Sequence, residues 1–214
     1  MTRINVLGGT GYGGAAVVRE TARRGHTVIS FSRQAPEHPI DGVTYRLGSL
    51  LDTDVLDDAV RDAEVVFVAV SPRGDMAGRV EGLLDALVER AAASGVRVGV
   101  LGGASSLLMS PGGPRLFDAH PPAPEIRPEV LTGLALLETL QASPDELDWF
   151  YVSPPLDFGA CVPKPVTGSY RLSDDVLLVD ELGRSTISAD DLAVAVLDEV
   201  EQPRHRRRRF HVAH

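Results

Sequence analysis

Residues 8–14 read GGTGYGG, five glycines in seven positions. They follow a short β-rich run, INVL, and precede AAVVRETARR, which carries helical spacing. Gly9, Gly11 and Gly14 fit G-x-G-x-x-G, and Gly8, Gly11 and Gly14 fit G-x-x-G-x-x-G. Both patterns serve the same physics. One glycine permits a tight strand-to-helix turn, one lets the backbone approach a pyrophosphate, and one lets the helix pack close to the strand. The helix N-terminus then offers free N–H groups and the positive end of its dipole to an anion. A turn without a ligand needs fewer glycines, so the stretch reads as a dinucleotide loop.

The next informative residues close the second apolar run, HTVISF. An acidic residue at that point ordinarily grips a ribose 2′-hydroxyl and would repel a 2′-phosphate. Here the chain reads FSRQ, with Ser32 and Arg33 in that place. A guanidinium presents a planar donor fork that suits phosphate, and the serine adds a hydroxyl beside it. The missing acid therefore points to NADP(H) in preference to NAD(H). A solvated arginine at a strand end is the plainer alternative.

Loops of this kind work only if a rigid α/β frame holds them, and the pattern supplies one. Strands are expected at INVLGG, HTVISF, VTYRLG, AEVVFVAVS, VRVGVLGG, LDWFYVSP and RFHVA. Helices are expected at AAVVRETARR, DTDVLDDAV, DMAGRVEGLLDALVERAAASG, RPEVLTGLALLETLQAS and ADDLAVAVLDEVEQ, and a hairpin turning near Gly183 at VLLVDELGRSTIS. Strict alternation of continuous apolar strands with helices predicts an α/β fold: a Rossmann-type, doubly wound parallel sheet with helices on both faces. A small C-terminal extension would lie on the substrate side. The Pro-rich HPPAPEIRP, residues 120–128, reads as a loop of the kind that walls or covers a site.

Composition bounds the function classes. A chain of 214 residues with 43% hydrophobic and 24% charged residues suits one folded domain, 1–214. The formal net charge of -9 disfavours nucleic acid as a partner. RHRRRR, residues 204–209, is a short isolated basic run whose charges are expected to face water or acidic neighbours. One cysteine, Cys161, allows no intrachain disulfide and reads as small apolar filler. No apolar run is long enough to span a bilayer, so no membrane is expected and a cytoplasmic location is. The histidines do not cluster with carboxylates at ligand spacing, and no metal is expected.

The chain resembles the atypical short-chain dehydrogenase/reductases. More narrowly it resembles the NAD(P)H-binding group that includes proteins described as NADH-flavin reductases, biliverdin-IXβ reductase and NmrA-like proteins. The resemblance rests on GGTGYGG, on SR after the second strand, on VLGGASSL after the fifth, on DWFYVSPPLDF, and on ISADDLAVAVLDEVEQPRHRRRRF. It implies that Gly8, Thr10, Gly11, Tyr12, Gly13 and Gly14 hold the pyrophosphate, and that Ser32 and Arg33 hold the 2′-phosphate. It implies that Ser49 and Leu50 border the adenine, although many relatives carry Asp where Ser49 stands. Ala69, Val70, Ser71 and Arg73 would line the ribose and diphosphate side. Gly103, Ala104 and Ser105 would sit near the nicotinamide, with Pro154, Pro155 and Leu156 packed on its ring or amide.

Typical members of the larger superfamily relay a proton through a serine and a Tyr-x-x-x-Lys pair. The stretch after Ser105 and Ser106, LLMSPGGPRLFDAHPPAPEIRPEVL, has neither Tyr nor Lys, and Tyr151 has no Lys at the required spacing. Reducing a ketone needs such a relay. Reducing a flavin or quinone needs less, because the acceptor's own electronics take the charge. The expected partner is thus a small-molecule hydride acceptor of the flavin or quinone class. Ser105 and Ser106 could hydrogen-bond a carbonyl or simply turn the chain, and His120 could donate a proton or be an exposed loop residue. A non-catalytic NADP(H) sensor of NmrA-like type would lack the relay equally. A sugar-nucleotide epimerase ranks last, because little chain is left for a substrate domain.

Overall fold

Apolar strands and amphipathic helices alternate through the computed structural model, which describes residues 1–214. In chain order these are β1 (Arg3–Leu7), α1 (Tyr12–Arg23), β2 (Thr27–Ser32), β3 (Thr44–Leu47), α2 (Thr53–Val60) and β4 (Val65–Val68). After them come α3 (Val80–Ser94), β5 (Arg97–Leu101), α4 (Leu116–Ala119), α5 (Arg127–Gln141) and β6 (Trp149–Ser153). The chain ends with β7 (Arg171–Ser173), α6 (Ala189–Glu201) and β8 (Arg208–Ala213). All eight strands join one sheet, ordered β3-β2-β1-β4-β5-β6-β8-β7. Only the β7–β8 pair is antiparallel.

The period of two along each strand divides the core. In β1, Ile4 and Val6 face α1 and α6, while Leu7 faces α2, α3 and α5. Asn5 points to the same side as Leu7 and donates to the Ala59 carbonyl at 2.8 Å, which partners an otherwise buried amide. Every residue of β4 and β6 is buried, as strands covered on both faces must be. The chain winds outward from β1 to β3, returns to β4 beside β1, and winds the other way. That reversal opens a crevice beyond the C-terminal ends of β1 and β4, where ligands of such sheets bind. The expected Rossmann-type architecture is therefore the one observed.

Three expectations need correcting. VLLVDELGRSTIS is not a hairpin. Its turn exists, held by Asp180, which accepts the N–H of Leu182 at 2.9 Å and of Arg184 at 2.8 Å. Its two arms bridge to other loops, Val176 to Leu108 and Thr186 to Asp157. The sheet edge they would have taken is occupied by β7, which sequence reading missed. The helix expected from Asp75 starts only at Val80. Gly78 lies at φ 67°, outside any continuous right-handed helix, and Gly74–Met76 form a separate 3-10 turn. Cys161, expected as filler, is exposed.

Candidate active site

The glycine loop bridges β1 and α1 at the crevice. Gly8 turns the chain at φ 81°, and a side chain there would also meet the Ala69 carbonyl oxygen at 2.6 Å. A Cβ at Gly14 would lie 2.2 Å from the Gly8 carbonyl oxygen, so only glycine lets α1 start this close to the loop. Gly11 caps the helix without a side-chain acceptor, and no acidic residue sits in the first turn. The N–H groups that α1 cannot satisfy internally are thus left for an anion. Thr10 is exposed beside them, and Tyr12 packs its ring against Phe158 at 5.3 Å. The cradle leaves unpaired N–H groups and no competing acid where an anion could approach.

Ser32 and Arg33 stand at the end of β2, beside this loop. Ser32 is buried and donates its hydroxyl to the Gln34 carbonyl at 2.7 Å. That bond turns the strand end and leaves the side chain only lone pairs to offer. Arg33 is 57% exposed and pairs with Asp75 at 2.8 Å. At the end of β3, Ser49 accepts the N–H of Leu51 at 3.3 Å, and Leu50 lies in the apolar core. The apolar side chains open to solvent at that end are Leu47 and Leu51.

After β4, Ala69 and Val70 are half-buried, while Ser71 and Arg73 are exposed. Arg73 forms a two-pronged pair with Glu129 of α5, at 2.7 and 3.1 Å. After β5, Gly103 donates its N–H to the Tyr151 hydroxyl at 3.0 Å, and that hydroxyl donates to the Gly133 carbonyl at 2.8 Å. Burial pushes the Tyr151 hydroxyl up to about 12. It pins the loop of Gly103, Ala104 and Ser105 to α5 and is not free to pass protons. Ser106 is buried and accepts from Arg209 at 2.7 Å. Pro154 and Pro155 are buried after β6, and Leu156 is exposed. His120 is exposed at the end of α4.

Sequence reading missed four contributors. Asp75 and Glu129 pair with cleft arginines from loops and helices distant in sequence. Tyr151 was sought as an acid and serves as a strut. Arg209, in the run expected to face water or acidic neighbours, meets an acidic one, Asp175, and also reaches Ser106, a contact the sequence does not announce. His211, beside it in β8, donates Nδ1–H to the Ser153 carbonyl at 2.8 Å. Burial pulls its pKa below the ordinary value. The register pairs Tyr151 with Arg209 and Ser153 with His211, the one clue a strand alignment could have offered.

Residues 8–203 match the family described as NAD(P)H-binding. The chain belongs to that NAD(P)H-binding family. Among its relatives, YwnB of Bacillus subtilis (strain 168) is 31% identical over 218 residues, covering 98% of this chain and 97% of YwnB. A candidate exported protein from Burkholderia pseudomallei has a structure with TM-score 0.85, 34% identity and complete coverage of both chains. A candidate NADH-flavin reductase from Streptococcus pneumoniae TIGR4 superposes with TM-score 0.88 at 25% identity, covering 100% of this chain and 99% of that one. As a member of the NAD(P)H-binding family with such neighbours, the protein has an oxidoreductase-like fold. No helix is long and apolar enough to cross a membrane.

Proposed function

We propose that the protein is an NADPH-dependent reductase whose acceptor is a flavin, a quinone or a similar conjugated small molecule. When bound, the cofactor supplies the hydride. The protein's share is to hold and orient. The glycine loop and the first turn of α1 bind the pyrophosphate, and Ala69, Val70, Ser71 and Arg73 line the ribose and diphosphate side. Arg33 meets the 2′-phosphate and supplies the positive charge, while Ser32, whose proton goes to the Gln34 carbonyl, shapes the strand end beside it. Ser49 frames the adenine end, with the exposed side chains of Leu47 and Leu51 beside it rather than the buried Leu50. Gly103, Ala104 and Ser105, pinned by Tyr151, form the wall at the nicotinamide, with Pro154, Pro155 and Leu156 excluding water on the other side.

The observation that carries the reading is the state of Tyr151. It is the one tyrosine bonded to the wall of the site, and both hydrogen-bonding roles of its hydroxyl are taken by Gly103 and Gly133. A site without a free relay suits an acceptor that needs none. The likeness to the Streptococcus pneumoniae protein supports the same class. NADPH use accords with a cytoplasmic location.

Two measurements test it. Purified protein is given NADPH with FMN, FAD or quinones, and NADPH absorbance is followed. Turnover with one of these is expected; tight NADPH binding with no turnover replaces the reading by that of a sensor. Arg33→Asp should weaken NADPH binding at least ~10-fold more than NADH binding, the scale of a charge-assisted phosphate contact. Equal losses would overturn the role of Arg33.

A further inference from the structure

Each arginine at the mouth of the crevice already holds a carboxylate. Arg73 holds Glu129 across to α5, and Arg33 holds Asp75 across from the loop after β4. The two loops concerned flank the glycine loop, since β2 and β4 lie on either side of β1. The Arg33–Asp75 pair therefore spans the crevice at the end where the adenosine ribose would rest. Asp75 is not a drifting surface acid. It sits inside the 3-10 turn, which the Met76 N–H closes on the Arg73 carbonyl at 3.1 Å, and is followed by Met76, which is buried in the core. The turn is anchored there while the carboxylate is 85% exposed.

An anchored backbone with an open carboxylate aimed at one guanidinium has two consequences. A phosphate that seeks Arg33 must displace Asp75 or share the cation with it, and like charges at short range disfavour sharing. An exposed pair is cheap to break, so displacement is feasible yet always opposes the incoming group. A ribose 2′-hydroxyl meets a different partner. The carboxylate that the common fingerprint places at the end of β2 is absent, and Asp75 brings one to the same guanidinium from the loop after β4.

We propose that Asp75 is the specificity-determining residue of the adenosine end. It competes with the 2′-phosphate of NADPH for Arg33, and it accepts the ribose 2′-hydroxyl of NADH. The protein thus binds both dinucleotides with a restrained preference for NADPH. This rests on the reading that Arg33 meets the 2′-phosphate.

The test is a set of dissociation constants for NADH and NADPH, measured by nucleotide fluorescence without any acceptor. Asp75→Asn should tighten NADPH about threefold to fivefold and weaken NADH by a similar factor, each being one exposed charged contact. The preference then shifts roughly 9- to 25-fold toward NADPH. In Arg33→Ala, adding Asp75→Asn should tighten NADPH less than it does beside Arg33, because only the direct repulsion is then relieved and no cation is released, but it should still weaken NADH. Asp75→Asn that leaves both constants unchanged, or moves both alike, overturns the proposal while an NADPH-selective loss in Arg33→Ala leaves the role of Arg33 standing. If Arg33→Ala does not change the NADPH-to-NADH ratio, the reading of Arg33 itself falls. Asp75 is exposed, so an unchanged unfolding midpoint is the expected control.

Discussion

The two edges of the sheet use the same residue types for opposite ends. At the N-terminal edge, Arg97 opens β5 and is 7% exposed. It donates to the Glu199 carboxylate at 2.6 Å and the Glu199 carbonyl at 3.0 Å, and its guanidinium lies 4.6 Å over the Phe150 ring. Glu199 also accepts from the His205 ring at 2.7 Å and from the N–H groups of Arg204 and His205. At the C-terminal edge, Arg33 and Arg73 meet Asp75 and Glu129 in exposed pairs. Water decides the difference. A buried pair cannot be opened without stranding a charge in apolar surroundings, whereas an exposed pair gives up its partner for little. The first kind fixes α6 and the last crossover to the sheet. The second leaves its cations exposed and able to exchange partners at little cost.

Glu199→Ala should break the comparison hardest if it is wrong. It leaves buried Arg97 with only Asp148, 3.3 Å from its Nε, as counter-charge, and a loss of roughly 3 kcal/mol in unfolding free energy is expected by urea titration. A loss below ~1 kcal/mol, the value of an exposed pair, would erase the distinction between the edges. Acid gives the second measure. Burial alone would raise the Glu199 pKa, but its bonds to His205, Arg97 and two backbone N–H groups prevail and bring it from 4.5 to about 2. A carboxylate lowered by folding stabilises the protein fully above its unfolded value and loses that contribution as pH falls through its folded value. Stability should therefore decline between 4.5 and about 2. The decline should be shallower in Glu199→Gln, which cannot titrate. Parallel curves for the two proteins would count against the assignment.

The same contrast explains what could be read from sequence. The sheet, its winding and the glycine cradle were legible because they depend on local pattern: GGTGYGG between an apolar run and a helix permits little else. Arg33 was legible for the same reason, since its place follows from the end of β2. Asp75 and Glu129 were not. Their pairing depends on where the loop after β4 meets the end of β2 and the start of α5 in space, 42 and 56 residues apart in the chain. The hairpin expectation caught the turn, which Asp180 holds near Gly183, but missed that each arm bridges to a different loop, Val176 to Leu108 and Thr186 to Asp157. Tyr151 was placed in its strand correctly, yet nothing local says that Gly102 would leave room for its ring. A Cβ at Gly102 would lie 1.7 Å from the Tyr151 Cζ.

The smallest effect on stability should come from Arg73→Ala. Its pair with Glu129 is two-pronged, which raises the Arg73 pKa through the hydrogen bonds and charge of that carboxylate. The pair is nonetheless exposed, so its removal should shift the unfolding free energy by no more than ~1 kcal/mol. Binding is where the change should appear. If Arg73 serves the diphosphate, the variant should weaken NADH and NADPH to the same degree, because the diphosphate is common to both. The weakening should shrink as salt screens the lost charge. A selective loss of NADPH would move Arg73 to the 2′-phosphate beside Arg33. A stability loss of several kcal/mol with intact binding would make it a structural residue, of the same kind as Arg97.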